Sequence, residues 1–327
     1  MQRSTEFVGT KFVGTKIVGT EFVDGRAVAP LAVGVVGAGR VGLALAAGFA
    51  RAGHHLAGVA PRSPESRGTA AGRLPGVPLL GPADLAAQAS VLLVTVPDDA
   101  VASVVMGLAA DGVLHTGQAV VHTSGRHGLA VLDAAAAAGA IPLALHPAMT
   151  FQGTSEDVER LTGTHFGVTA RGRHWALAEQ LVAALGGHPV SVPEELRPLW
   201  HAGLAHGANH LVTLVSSALE VIRATGASDP AAVLRPLLTA ALDGALASGM
   251  QALTGPVARG DAATVSAHLD ALAAAAATER PVYLALARAT ADRTARGSSP
   301  AVVDVLNGIA RGTGADTGPA STGRRTA

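Results

Sequence analysis

The chain has 327 residues, room for two domains with a substantial core. Lys plus Arg equals Asp plus Glu at 24 each, so it lacks the basic excess of a nucleic-acid binder. Cysteine is absent, which removes disulfides, thiolate metal sites, thiol nucleophiles and iron–sulfur clusters together. The only lysines, Lys11 and Lys16, precede the first plausible core strand. A P-loop, a Schiff-base enzyme and a Tyr/Lys dehydrogenase pair are therefore excluded from the folded region.

Residues 6–25 are four tandem pentapeptides of the Phe-Val-Gly-Thr type. So few copies are too short a repeat array to stack, so residues 1–28 are expected to be a disordered leader. Short apolar runs then follow at Leu31–Val36, Leu56–Ala60, Val91–Val96, Ala119–Val121, Pro142–Leu145 and Phe166–Thr169. Each is expected to be a buried parallel strand. Helical patterns at Val41–Ala52, Pro82–Ala89, Ala100–Ala109 and Leu129–Ala138 separate most of them. This alternation predicts an α/β fold, a doubly wound parallel sheet of Rossmann type over residues 29–192.

Beyond Val192 strand-like runs stop. Helices are expected at about 195–224, 230–247, 261–277, 280–295 and 300–311, with Ser228 or Asp229 capping the second ahead of Pro230. The second domain, 193–311, is thus expected to be all-α. Residues 312–327 are Gly, Thr, Ser and Arg without apolar period and are expected to be a disordered tail. No uninterrupted apolar stretch has bilayer-spanning length and the N-terminus lacks a signal-peptide layout, so a cytoplasmic location without membrane attachment is the default.

Gly37-Ala38-Gly39-Arg40-Val41-Gly42 is a GxGxxG placed after a strand and at the start of a helix. Gly37 suits the tight turn, Gly39 the approach of a pyrophosphate, and Gly42 close packing of helix on strand. The helix N-terminus would offer free N–H groups to the phosphates. The next strand ends Val59-Ala60-Pro61-Arg62-Ser63, without the acid that holds an NAD ribose. Arg62 and Ser63, with Arg67 as a third contact, suit a 2′-phosphate, so NADP(H) is the expected cofactor. Val96 and Pro97, after the next strand, should lie along it. Asp98 and Asp99 read as the cap and first turn of the following helix.

Two further strand ends are polar, His122-Thr123-Ser124-Gly125 and His146-Pro147. Ser124 suits a hydrogen bond to a substrate carboxylate or carbonyl; His122 and His146 either do the same or cap their strands. The first helix of the second domain carries Trp200-His201, His206, Asn209 and His210. His201 and Asn209 are about 80° apart around a helix. They offer a proton donor and an orienting amide on neighbouring faces. With no lysine after Lys16, His201 is the natural acid for carbonyl reduction. His206 and His210 have a metal-pair spacing, but no third ligand follows at a telling distance, so no metal is expected.

The Gly-rich turn, Val-Pro-Asp-Asp at 96–99, His122-Thr-Ser-Gly125, His146-Pro-Ala-Met-Thr-Phe151, Trp200-His-Ala202 with Asn209, and Leu253-Thr-Gly-Pro-Val-Ala-Arg-Gly-Asp261 together resemble one bacterial family. Its members join a Rossmann-like domain to a helical C-terminal domain of unknown function, over about residues 30–311 here. More distantly the layout is similar to ketopantoate reductases, pyrroline-5-carboxylate reductases and 3-hydroxyacid dehydrogenases. That resemblance implies a homodimer joined through the helical domains, a small-molecule substrate bound between domains, and reduction of a 2-keto acid such as ketopantoate or of a cyclic imine. A non-catalytic NADP(H) sensor is the alternative of a different class. Hydroxyacid dehydrogenases and ketopantoate reductases use a lysine that is missing here, so His201 stands in. Arg259 either pairs with an acidic substrate or forms an internal pair with Asp261, and His268 is expected to be structural.

Overall fold

The computed structural model describes residues 30–294 and 299–308, together with a two-residue antiparallel pair, Phe22–Val23 with Arg26–Ala27. Apart from that pair the expected leader lies outside the described residues, as does the expected tail. Two compact units divide at Ala208/Asn209.

The first unit is built on seven strands: β1 (Ala32–Val36), β2 (His55–Ala60), β3 (Val91–Val94), β4 (Ala119–His122), β5 (Ile141–Pro147), β6 (His165–Ala170) and β7 (His188–Ser191). Their order in the sheet is β2-β1-β3-β4-β5-β6-β7. Period-two alternation divides the strand residues between two cores. Val33, Val35, Val91, Leu93, Val121 and Leu143 pack with α1 (Arg40–Arg51) and α7 (Trp175–Ala184). Ala32, Val36, Leu92, Val94 and Val120 pack with α3 (Pro82–Gln88), α4 (Val101–Ala110) and α5 (Asp133–Ala137). Both faces being covered explains why β1 and β3 read as continuous apolar runs.

The sheet is mostly parallel, with one correction to the expected pattern: β6 runs antiparallel to β5. The reason lies in their connection, whose only helix, α6 (Glu156–Arg160), has five residues. That is too short to carry the chain back across a sheet face, so β6 starts beside the end of β5, with Pro147 opposite Phe166. In this unit the sequence patterns did not single out α2 (Pro64–Arg73), α6, α7 and β7. The last reads His-Pro-Val-Ser, an edge strand with proline and without an apolar run.

The second unit is helical. It takes in most of α8 (Arg197–Ala224), then α9 (Pro230–Ser248), α10 (Pro256–Arg259), α11 (Ala262–Ala275), α12 (Arg280–Arg293) and α13 (Pro300–Leu306). Its core is Val257, Val265, Ala287, Ala291, Val302 and Leu306. Asp229 caps α9 by accepting the Ala232 N–H at 2.9 Å. The expected domain boundary at 192/193 falls sixteen residues before the division at 208/209. The start of α8 belongs to the first unit because Arg197 is fully buried there, bonded to β6.

Candidate functional site

The glycine-rich turn follows β1. Gly37 has φ +109° and its backbone lies against Thr95, whose hydroxyl donates to the Gly37 carbonyl at 2.8 Å. A Cβ on Gly42 would overlap the Gly37 carbonyl oxygen and the Thr95 hydroxyl, so only glycine lets α1 sit this close to the strand. Gly39 differs from both: a Cβ there would meet nothing within 4 Å. Gly39 is also the N-cap of α1, without a side-chain cap and without an acid in the first turn. Open space in front of an uncapped helix N-terminus fits a pyrophosphate. Ala38 is buried, Val41 half-buried, and Arg40 is exposed.

Arg40 is committed elsewhere in part. Its guanidinium donates to the Phe151 carbonyl at 3.1 Å, and its stem lies against Gly153, at φ +81°. That loop is held by Asp157, fully buried, which accepts the N–H groups of Gln152 and Gly153 at 3.0 and 2.7 Å. Burial alone would raise the Asp157 carboxyl, but these N–H donors and that of Thr154 outweigh it and hold it below the ordinary range. No sequence pattern singled out Asp157; an acid three residues after Gly-Thr in a connecting loop carries little signal.

At the end of β2, Arg62 is exposed, with no hydrogen bond or ion pair to any described residue. Ser63 is spent locally: it caps α2, accepting from the Ser66 N–H at 3.1 Å in a capping box. Val96 and Pro97 lie beyond the end of β3, Val96 half-buried and Pro97 exposed. β3 stops at Val94 because Thr95 turns to bond β1 and the glycine loop. Asp98 opens the turn before α4 and pairs with Arg126 at 3.2 Å.

Next along the carboxyl edge, β4 and β5 bring Ser124, His122 and His146 together with the start of α8. Arg197 is fully buried and donates to the carbonyls of Ser124 and Gly167 at 2.5 and 3.3 Å and to the Thr169 hydroxyl at 3.0 Å. Among the described residues no carboxylate is within salt-bridge distance of it, and its Nε has no partner. Burial lowers its pKa to about 10, which leaves it charged at neutral pH. Trp200 lies on Gly167 and donates its indole N–H to Nδ1 of His146 at 3.1 Å. His201 meets His146 edge-on, with ring centroids 5.8 Å apart. Gly125 makes room for both imidazoles: a Cβ there would lie 2.5 Å from Cδ2 of His201 and 2.9 Å from Nε2 of His146.

His122 is fully buried with both ring nitrogens engaged. Nδ1 accepts the Ser124 N–H at 3.2 Å, so Nε2 carries the proton and donates to the Gly128 carbonyl at 2.9 Å. Its role is to shape the Ser124 loop. The Ser124 hydroxyl accepts the His127 N–H at 3.2 Å. Burial, above all, holds both His122 and His146 at about 4; Arg197 pushes each further down, while Asp98 and, for His122, the Gly128 carbonyl oppose it. Since an unfolded histidine titrates near 6.5, the unfolded chain binds more protons than the folded one between about 6.5 and 4. Stability is therefore expected to fall on acidification through that window, by roughly 3 kcal/mol for His122. Urea midpoints measured from pH 7 to 4.5 check this. A flat profile, or a slope unchanged in His122→Gln, contradicts it.

Asn209 opens the second unit, exposed on α8, with its carbonyl accepting from the Thr213 hydroxyl at 3.3 Å. Arg259 is exposed at the end of α10. Asp261 forms no salt bridge with it; it caps α11, accepting the Thr264 N–H and hydroxyl at 3.0 and 2.6 Å. His268 bonds the Tyr283 hydroxyl at 2.9 Å.

Residues 20–147 match the Rossmann-like domain, and residues 164–290 match the domain of unknown function DUF2520. The chain joins a Rossmann-like domain to a DUF2520 domain. Among curated proteins none matches. Solved structures of the same fold include a candidate NADP oxidoreductase from Bacteroides fragilis, 22% identical over 81% of this chain and 99% of that one, TM-score 0.68. A reductive aminase from Aspergillus terreus, in complex with NADPH and ethyl-5-oxohexanoate, is 17% identical over 86% of this chain and 100% of that one, TM-score 0.61. An imine reductase from Streptomyces aurantiacus is 17% identical over 84% of this chain and 99% of that one, TM-score 0.59. At these identities the likeness is one of fold.

Proposed function

We propose that this protein is an NADP(H)-dependent oxidoreductase that reduces a small carbonyl acid. The observation that carries the reading is the histidine cluster, His146 with His201 over Gly125, at the carboxyl edge of the strands that follow the glycine-lined N-terminus of α1. Ligands of open α/β sheets bind at that edge. The backbone N–H groups at the start of α1 would hold the pyrophosphate and Arg62 the 2′-phosphate; NADPH, when bound, supplies hydride. His201 would deliver the proton to the oxygen of the reduced carbonyl, and the Ser124 loop would orient the acid group.

The charge of the cluster favours a carbonyl acid over a cationic iminium. Arg197 is a buried cation and His146 is held neutral, while the two carboxylates that act on Arg197 are both engaged, Glu194 by the Ala130 N–H and Asp98 by Arg126. An iminium would meet positive potential, whereas a carboxylate would be welcomed. Reduction of a cyclic imine rests on the fold shared with imine reductases alone. The expected result is NADPH consumption with one member of a panel of 2-keto acids, ketopantoate included, and cyclic imines. His201→Ala is expected to lower kcat about a hundredfold or more, the worth of a general acid, with NADPH affinity unchanged. Tight NADPH binding without any turnover would favour a sensor; no binding would end the reading.

We also propose self-association through the helical unit. Val233, Leu237, Leu242 and Leu246 on α9 and Val212 on α8 are 46–79% exposed. Large apolar side chains left this exposed on one helical unit suit burial against a second copy. The same unit holds a cavity of about 760 Å³ lined by Leu214, Ile222, Leu234, Leu272 and Tyr283. The stretch Pro230–Arg259 is long and apolar enough by composition to cross a bilayer, but Arg235 and Asp243 lie in α9 and the helix breaks at Gly249. Sedimentation is expected to give a dimer that Leu237→Glu with Leu246→Glu converts to monomer. A monomeric wild type, or flotation with liposomes, would refute this.

A further inference from the structure

The cluster contains two imidazoles whose surroundings differ, and the difference is geometric. The indole N–H of Trp200 can only donate, so the ring nitrogen it meets, Nδ1 of His146, must accept. A neutral imidazole accepting at Nδ1 carries its proton on Nε2. The other two states of the ring are both penalised. The Nδ1–H tautomer and the imidazolium would each set two N–H donors against one another across 3.1 Å. Trp200 is itself fixed, its ring lying on Gly167, where any Cβ would come within 2.6 Å of it. Gly167 stands opposite His146 in the β5–β6 ladder, so the indole packs on the strand next to the one that carries the imidazole.

We propose that Trp200 is a positioning residue that fixes His146 as the neutral Nε2–H tautomer, making His146 a hydrogen-bond donor to the substrate's oxygen and leaving proton delivery to His201. This rests on the oxidoreductase reading for its catalytic consequence only. Gly125 completes the arrangement. A Cβ there would sit 2.9 Å from Nε2 of His146, so glycine is what leaves that N–H uncovered. The charged and titratable groups around His146 are Arg197 and His201, which disfavour its cation, and Asp98, which favours it and is paired with Arg126. Burial acts with the first two. A donor that stays neutral polarises a carbonyl in the same way across the physiological pH range, while a group that must give up a proton needs to titrate within it.

The test is the ring 15N spectrum of the full chain labelled in histidine, recorded without cofactor by two-bond 1H–15N correlation from pH 5 to 8. His146→Asn assigns the signals by their loss. The wild type is expected to show His146 as the Nε2–H tautomer, unchanged across that range. Trp200→Phe, which keeps an aromatic ring on Gly167 and removes the donor, is expected to give a mixture of the two neutral tautomers, since burial, Arg197 and His201 still disfavour the cation. In turnover the same variant should lower kcat about tenfold, the scale on which a lost orienting partner of a histidine acts, with NADPH affinity unchanged. A wild-type His146 found as Nδ1–H, or charged at pH 7, overturns the proposal even if Trp200→Phe fails to fold. So does a folded Trp200→Phe whose tautomer is unaltered. If the tautomer is as stated and no substrate turns over, the oxidoreductase reading fails and the Trp200–His146 assignment stands.

Discussion

Gly39→Ala is expected to abolish high-affinity NADPH binding while leaving the melting temperature within a degree or so of the wild type. The residue sits at φ −81° and ψ −179°, backbone that alanine adopts freely, and its added methyl would meet no protein atom. The same methyl would stand in front of the α1 N-terminus, where the pyrophosphate must approach. Losing two of its backbone hydrogen bonds, at ~1–1.5 kcal/mol each, weakens binding about a hundredfold. Gly42→Ala should behave in the opposite way. Its methyl would overlap the Gly37 carbonyl and the Thr95 hydroxyl, neither of which can move without unpicking the turn. Overpacking of this kind costs about 3 kcal/mol, and NADPH affinity falls with it. Fluorescence titration with NADPH and calorimetric melting of both variants separate the two effects. Equal loss of stability in both, or retained binding in Gly39→Ala, would contradict the cradle described above.

The second large effect concerns Arg197. Replacing it by methionine keeps much of the volume but strips three acceptors, the Ser124 and Gly167 carbonyls and the Thr169 hydroxyl, of a charge-assisted donor. Unsatisfied buried acceptors cost ~1–3 kcal/mol each, so the expected destabilisation is about 3–5 kcal/mol. Lysine should rescue little of it, because one ammonium cannot span β6 and the Ser124 loop as the planar fork does. Loss of the buried cation should also raise the pKa of His146, since Arg197 is one of the groups that depress it. Urea denaturation gives the first quantity and the His146 ring signals the second. A loss below about 1 kcal/mol would show that water satisfies these acceptors and that Arg197 is not what ties α8 to the sheet.

Both predictions start from features of different visibility in the sequence. The glycine turn was legible because its chemistry is local. Gly37, Gly39 and Gly42 act within one strand–turn–helix, and their spacing reports the geometry directly. Thr95 was not, although it closes that same turn, because it arrives from a strand 58 residues away. His146 and His201 were visible as residue types, yet nothing in the spacing of 55 positions says that their rings meet edge-on. Ser63 was legible as a polar strand end, but its hydroxyl is used in capping α2, a helix too polar to show an apolar period. Asp261 proved to be a helix cap, a role that needs the exact helix start to be known.

The fold class and the glycine-rich turn follow from short-range pattern alone: strand–helix alternation and small residues at the turn. The tertiary structure decided the reversal of β6, the burial of Arg197, and the donor that selects one tautomer of His146. The division has one physical cause. Backbone conformation is set largely by neighbours in sequence, so periodicity and glycine spacing encode it. Burial, desolvation and the pairing of distant polar atoms depend on which segments meet, and that is settled only when the whole sheet has formed.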